Sequence, residues 1–342
     1  MRRAGNLWRR ILDRDNLRLA VLRALRGKRD RSDAREFVVH LDARLEQLGE
    51  HLEADTVAVG RFHQFVIHDP KERIITAPCF EERVLHHAVM NVCEPVFERW
   101  LIDDTFACRR GKGREAALAR ARHFAHRFPY FLAIDVRKYF DSIPHDRLLT
   151  RLVRLIKDQR VLALFGRIID SYRSSLGKGL PIGSLTSQHL ANFYLGGMDR
   201  FVKETLHVGG YVRYMDDMAL WGRSTSELRE VLKRCHDFLH DQLGLELKTS
   251  APINRTTHGM DFLGCRVFPT HLTLNRRSRI RFRRRLASLE RKFAEGELSD
   301  QGLQRRATAL VAFATAAGVS SWQFRARVLQ ALEERSHKAR TG

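Results

Sequence analysis

Three carboxylates stand where carboxylates are costly. Asp135 follows the apolar run Phe131 to Ile134, and Asp216 and Asp217 lie between two β-prone halves of YVRYMDDMALWG (211–222). A charged side chain at the end of a buried strand is unfavourable unless something offsets its desolvation, and a divalent cation shared between carboxylates does so. Magnesium takes one or two carboxylates together with substrate phosphate oxygens. Two such ions about 3.5–4 Å apart activate a hydroxyl on one side and stabilise a leaving pyrophosphate on the other, which is nucleotidyl transfer. On spacing alone a plainer reading stays open, in which Asp216-Asp217 is an ordinary polar β-turn and Asp135 caps the turn after its strand.

The elements that must position these groups follow from periodicity. Apolar residues at helical spacing predict helices over 7–26 and 33–52, and FVIHDPKERIITAP (65–78) predicts a hairpin carrying Lys71 and Arg73. Phe80 to Glu98 is again helical, and RRGKGRE (109–115) is a glycine-broken basic loop before another helix. A strand at 130–136, helices around 145–158 and 161–174, a loop from Gly177 to Gly183 and a long helix over about 185–206 follow. A second hairpin at 211–222 then has Asp216-Asp217 at its tip. A helix at 226–243, strands at 261–268 and 271–275, and a helical C-terminal domain to about residue 336 complete the pattern.

The chain has 342 residues, 61 basic against 40 acidic, and a net charge of +21, with 44% hydrophobic residues. That composition excludes a disordered chain and supplies a core, while the positive field suits a polyanion, nucleic acid before a membrane surface. No apolar run approaches the roughly 20 residues a bilayer requires, and the arginine-rich start leads into no signal-peptide core, so a cytoplasmic location is expected. Five scattered cysteines, Cys79, Cys93, Cys108, Cys235 and Cys265, form no Cys-x-x-Cys pair and are expected to be buried thiols. Among sixteen histidines, His86-His87 fits a helix face and no metal-ligand spacing occurs. From Arg276 to Lys292 nine of seventeen residues are basic and only Glu290 is acidic, which marks a domain boundary and a nucleic-acid-binding surface.

YMDD in a hydrophobic hairpin, LAIDVRKYFDSIPHDRLL (132–149) upstream and GLPIGSLTSQHLANFYLGGMDRFV (179–202) between them together resemble the palm of the reverse transcriptases. The resemblance extends to IITAPCFEERVLHHA (74–88), FACRRGKG (106–113), LGLEL (243–247) and GMDFLGCRVFP (259–269). It implies an α+β right-hand polymerase: an N-terminal helical extension (1–60), fingers (61–130), a palm of antiparallel sheet and helices (131–275, with a fingers insertion around 145–180), and a basic helical thumb and tail (276–342).

Carried over residue by residue, the resemblance makes Asp135, Asp216 and Asp217 catalytic and, with the carbonyl of Val136, ligands of two Mg²⁺ ions. The amides of Lys138 and Tyr139 would cradle the triphosphate of a dNTP that Lys71 and Arg73 clamp. Phe140 would meet the sugar and exclude a 2′-hydroxyl, and Ile182, Gly183 and Gln188 would face the nascent pair. Lys248 stands near the place of a family lysine that serves as proton donor to the pyrophosphate, in the shifted context Lys248-Thr249-Ser250-Ala251-Pro252. Arg276, Arg277, Arg279, Arg281, Arg283, Arg284 and Arg285 would track the RNA–DNA duplex. Ile182-Gly183-x-x-x-Ser187-Gln188, where other branches carry Gln before the glycine, is similar to the enzymes of diversity-generating retroelements. Those bacterial or phage-encoded enzymes copy a template-repeat RNA with errors at adenines and work with a small basic oligomeric accessory protein. The arginine-rich N-terminal helices suit either RNA or that protein. An antiphage-defence reverse transcriptase and a non-catalytic RNA-binding scaffold are the alternatives.

Overall fold

The computed structural model describes residues 2–68 and 72–315 of the chain. Helices α1 (Leu7–Leu12) and α2 (Arg14–Ala24) divide the expected first helix, because the Asp13 carboxylate accepts from the amides of Asp15 and Asn16 and starts a new helix. Helices α3 (Ser32–Val39) and α4 (Leu41–Glu53) likewise part at His40, whose backbone leaves the helical region. Strands β1 (Phe62–Ile67) and β2 (Arg73–Pro78) form the first hairpin, in register from Phe62 opposite Pro78 to Ile67 opposite Arg73. Helices α5 (Phe80–Trp100) and α6 (Arg114–Arg127) lead to β3 (Tyr130–Asp135), and then come α7 (Tyr139–Ser142), α8 (His145–Leu155) and α9 (Gln159–Asp170).

The long helix expected at 185–206 is three pieces: α10 (Leu185–Tyr194), α11 (Gly196–Arg200) and a π-helical turn over Phe201–Thr205. The break falls at Gly196, where a Cβ would come within 2.5 Å of the Trp100 indole nitrogen, so the chain passes close to α5 only by lacking a side chain. Strands β4 (Gly210–Tyr214) and β5 (Asp217–Gly222) make the second hairpin, and α12 (Thr225–Leu243) follows. A short strand absent from the sequence expectation, β6 (Ile253–Arg255), precedes β7 (Met260–Phe262), β8 (Cys265–Val267) and β9 (Leu272–Leu274). What periodicity presents as one strand at 261–268 is a tight hairpin, turned at Leu263 and Gly264 with φ of 49° and 79°. Helices α13 (Arg276–Ala294) and α14 (Asp300–Thr315) end the described chain, and the rest of the expected C-terminal helical stretch lies outside it.

The fold is mixed α+β, in two compact units. The first comprises residues 1–103, 136–201 and 234–248. Its spine is α5, against which α1, α2, α3 and α10 pack, with Val84, Leu85, Ala88, Val89 and Cys93 buried. The second comprises residues 104–135, 202–233 and 249–342 and holds the four-stranded sheet β4-β5-β3-β6 and the three-stranded sheet β7-β8-β9. Phe131, Val212, Ala219 and Trp221 on one face of the larger sheet join Phe124 and Ala121 of α6 and Met260, Cys265 and Phe282 in one core. The alternate residues Leu132, Ile134, Tyr211, Met218 and Leu220 are buried as well, so the sheet is covered on both faces and its strands read as near-continuous apolar runs. Three of the cysteines, Cys93, Cys235 and Cys265, are buried; Cys79 is half-buried, and Cys108, against expectation, is exposed on a left-handed turn with φ 53°.

Gly210 sits at the base of the second hairpin, where a Cβ would meet Trp221 Cβ at 2.9 Å and Phe124 Cδ1 at 3.1 Å. Gly210→Ala is expected to cost about 1–3 kcal/mol of overpacking. Urea unfolding checks this, and an unchanged midpoint would show that the ring stack behind the hairpin yields freely.

Candidate active site

In the second unit, β5 lies between β4 and β3, so Asp217 faces Tyr214 on one side and Asp135 on the other. Asp135 and Asp217 are thus directly opposite on adjacent antiparallel strands, on the sheet face that carries Phe131, Ala133, Ala219 and Trp221. Directly opposed residues bring their Cβ atoms to roughly 4.5–5.5 Å, and like charges so placed are destabilising. Asp216 is the adjacent turn residue, after Met215 in the left-handed region at φ 57°. All three carboxylates are half-buried. Register brings Asp135 and Asp217 together, and Asp216 precedes Asp217 in the chain.

Two further residues hold this end of the sheet, and neither is apparent from local sequence. Arg213 is fully buried, and its guanidinium donates from Nη1 to the Met215 carbonyl at 2.9 Å, bracing the turn. Its backbone is flanked by Asp104 and Phe106: the Arg213 amide donates to Asp104 O and the Phe106 amide to Arg213 O, each at 2.9 Å. The Asp104 carboxylate in turn accepts from Arg120 Nε of α6 at 2.7 Å. An arginine flanked by valine and tyrosine in a strand carries no signal of burial by itself; the only hint is its place immediately before the acidic turn.

The first unit holds the positions expected to bind the nucleotide. Lys71 lies outside the described residues. Arg73 is exposed at the start of β2. Three residues further along that strand the Thr76 amide donates to the Ile182 carbonyl at 2.7 Å, and Gly183 follows at φ 124°. A Cβ on Gly183 would stand 2.7 Å from Ile75 Cγ2 and 3.2 Å from the Thr76 carbonyl, so β2 and the Ile182-Gly183 loop approach as closely as they do only with glycine there. Lys138, exposed and left-handed at φ 44°, opens α7. Tyr139 is buried with its hydroxyl donating to the Ala191 carbonyl, whereas Phe140 is half-buried and its carbonyl accepts from the Leu180 amide at 2.8 Å. The structure thus ties Arg73, Ile182 and Gly183 through β2, and Phe140 to the same 180–183 loop from the other side.

Val136 is buried and pairs with Leu247, which puts exposed Lys248 one residue beyond that bridge. Gln188 is exposed on α10. On α13, Arg276, Arg277, Arg279, Arg283, Arg284 and Arg285 are exposed and Arg281 is half-buried, while Ser278, Phe282 and Leu286 form the narrow buried stripe. No acidic residue offsets the arginines in its first turn.

The donor set at Asp135, Asp216 and Asp217 is all hard oxygen and fits magnesium or manganese, not zinc. Among the described residues no group of three or more His, Cys, Asp or Glu side chains is arranged to hold a metal ion, Asp135, Asp216 and Asp217 included. Magnesium requires none, because it fills its octahedron with water and substrate oxygens. His86, buried in α5, is driven down to about 3 by burial first and then by His87 and Arg83, so its ring is neutral; half-buried His87 falls to about 4, again mainly by burial.

A family model described as reverse transcriptase (RNA-dependent DNA polymerase) matches residues 68–267. The chain is 27% identical over 139 residues to the uncharacterized 91 kDa protein in the cob intron of Schizosaccharomyces pombe, covering 39% of this chain and 17% of that protein. It is 23% identical over 255 residues to Protein YkfC of Escherichia coli, covering 61% and 65%. To the group II intron-encoded protein LtrA of Lactococcus lactis it is 26% identical over 139 residues, covering 39% and 23%. The chain thus spans less than two thirds of the length of these relatives. A telomerase structure from Candida albicans is similar at a TM-score of 0.48 and 11% identity, over 65% of this chain and 48% of that one.

Because the His86 ring stays neutral in the folded state to about 3, whereas an unfolded histidine protonates near 6.5, the unfolded chain binds the extra proton as pH falls below 6.5 and stability drops. From pH 7 to pH 5 that single group is expected to remove about 2 kcal/mol. The stability gap between wild type and His86→Gln, measured by chemical unfolding at both pH values, should narrow by that amount. A gap independent of pH would mean that the ring takes up its proton in the folded protein.

Proposed function

The chain belongs to the reverse transcriptase (RNA-dependent DNA polymerase) family, and from that premise we propose that it is an active polymerase making DNA on an RNA template. The observation that carries the proposal is the register of Asp135 opposite Asp217 with Asp216 in the adjoining turn. A scaffold without catalysis has no evident use for carboxylates directly opposed across two strands, a pairing that like charges disfavour. Asp135, Asp216 and Asp217, with the Val136 carbonyl, would hold two Mg²⁺ ions. Bound there, the ions would lower the pKa of a primer 3′-hydroxyl and neutralise charge on the departing pyrophosphate.

The remaining roles fall to the chain's own groups. Lys71 and Arg73 bind the triphosphate of the dNTP, Arg73 through the bidentate geometry of guanidinium on phosphate. The left-handed turn at Lys138 presents its amide and that of Tyr139 as an anion nest. Phe140, which is not absorbed into the core, sets its ring against the sugar and rejects a 2′-hydroxyl. Gly183 admits the close approach of β2, and Gln188 lies on the helix that follows. Lys248 supplies a proton to the leaving pyrophosphate. The arginines of α13 hold the RNA–DNA duplex by its phosphates.

Within the family we assign the chain to the diversity-generating type, copying a template-repeat RNA with the help of a small basic accessory protein. The half-buried branched side chain of Ile182 supports this, because its backbone is pinned by Thr76 while its side chain offers no hydrogen bond to orient a nucleotide. The resemblance to the diversity-generating enzymes implies errors concentrated at template adenines.

One experiment tests both levels: extension of a primer on a defined RNA with Mg²⁺, accessory protein supplied, followed by sequencing of the cDNA. Asp216→Asn with Asp217→Asn is expected to abolish synthesis while leaving RNA affinity within about twofold, since the arginines of α13 are untouched. Synthesis persisting in that variant contradicts the metal assignment. Ile182→Gln is expected to cut misreading of adenine by roughly fivefold, about 1 kcal/mol of recovered hydrogen bonding. Uniformly low error at all four template bases in the wild type would move the assignment to the antiphage-defence enzymes.

A further inference from the structure

We propose that a buried chain of polar side chains, Glu82–His86–Ser184, positions the Ile182-Gly183 loop and thereby governs how tightly the incoming nucleotide is selected, a proposal that rests on the polymerase reading. Glu82 and His86 stand four residues apart on α5, and Ser184 immediately precedes α10; each is 1% exposed. Ser184 Oγ lies 3.1 Å from His86 Nδ1, and His86 Nε2 lies 3.6 Å from Glu82 Oε1, an electrostatic contact too long for a hydrogen bond. The carboxylate of Glu82 is spent on backbone: its oxygens accept from the Gly60 amide at 3.0 Å and the Arg61 amide at 2.8 Å.

With the ring neutral, the tautomer that carries its proton on Nε2 turns that N–H toward the carboxylate and leaves Nδ1 to accept from the serine hydroxyl. The order carboxylate, imidazole, hydroxyl is that of a hydrolytic triad. Here none of the three is open to a substrate, so the arrangement holds position and makes no nucleophile.

What it holds is specific. At one end Glu82 fixes Gly60 and Arg61, the residues that lead directly into β1, and the Cys79 amide closes the same hairpin base by donating to Arg61 O at 2.8 Å. At the other end Ser184 is anchored two residues after Ile182, whose carbonyl accepts from Thr76 on β2. Beyond its bond to the Phe140 carbonyl, the loop is gripped twice more, by the hairpin through a backbone hydrogen bond and by α5 through a side-chain hydrogen bond. Losing the second grip leaves a buried imidazole unsatisfied and lets the loop drift against β2, the contact that Gly183 makes intimate. Glu82, His86 and Ser184 are positioning residues and touch no substrate.

Amide hydrogen exchange at Thr76 reads the loop directly, without reference to activity. In Ser184→Ala and in His86→Phe we expect Thr76 to exchange about tenfold faster than in wild type, with the α5 core amides unchanged. His86→Asn, whose side-chain amide can occupy the Nδ1 position, should restore Thr76 to within about threefold of wild type. In primer extension Ser184→Ala should raise the dNTP KM about fivefold with kcat within about twofold. Should Ser184→Ala not fold, Glu82→Gln is measured at the same amide, with acceleration expected. Thr76 exchange within about twofold of wild type in these variants overturns the proposal, and so does a uniform acceleration across α5, which marks general destabilisation. A wild-type protein that extends no primer under any condition rejects the polymerase reading, and with it the loop's part in nucleotide choice, whatever Thr76 does.

Discussion

The register that sets Asp135 directly opposite Asp217 is the constraint on which the second unit depends. Like charges on directly opposed residues disfavour that pairing, and Asp216 is the neighbouring turn residue. The sheet around that pair is closely packed. Both faces are buried, β5 is paired on both sides, and Trp221, Phe124 and Gly210 leave no room behind the hairpin. Arg213 braces the turn from within the protein, and the segment holding Asp104 and Phe106 clamps the backbone of β4. A closely packed core thus presents the carboxylates at the strand end, where the proposed cation site would form.

The first unit answers a different requirement, close approach of backbone to backbone. Thr76 donates to Ile182 across a gap in which even a methyl group at Gly183 would collide. Such a contact tolerates little movement, so the loop from Leu180 to Ser184 is tied on three sides: to Phe140, to β2 and to α5. The polar chain through His86 is buried and fully within the unit, so it transmits position and not solvent-driven charge.

Sequence made the carboxylates and both hairpins legible, because alternation over strands and acidic residues in an apolar run are local signals. It did not reveal β6, whose three residues Ile253, Asn254 and Arg255 are too few for a period and form a strand only by pairing with Leu132, Phe131 and Tyr130. The 261–268 run looks continuous because Leu263 is apolar, although Gly264 beside it was the available turn signal. The long helix at 185–206 fails at Gly196 and Gly197 for a tertiary reason, the nearness of Trp100 and Arg151. Arg213 is the plainest omission, and for His86 only its place on a helix face was legible. A buried arginine and a buried histidine look like surface residues until the partners that satisfy them are seen, Met215 two residues away and Ser184 ninety-eight residues away.

The central claim is that the three carboxylates exist to hold divalent cations. Its most direct measurement is electron paramagnetic resonance of Mn²⁺ titrated into the full chain, with and without a dNTP, compared with Asp135→Asn. The account predicts specific Mn²⁺ binding that strengthens with dNTP and is lost in Asp135→Asn, while the variant unfolds at the same or a higher denaturant concentration because one repelling charge is gone. Equal Mn²⁺ binding by the two proteins, or an Asp135→Asn variant that is markedly less stable, would contradict it and return the carboxylates to a structural role.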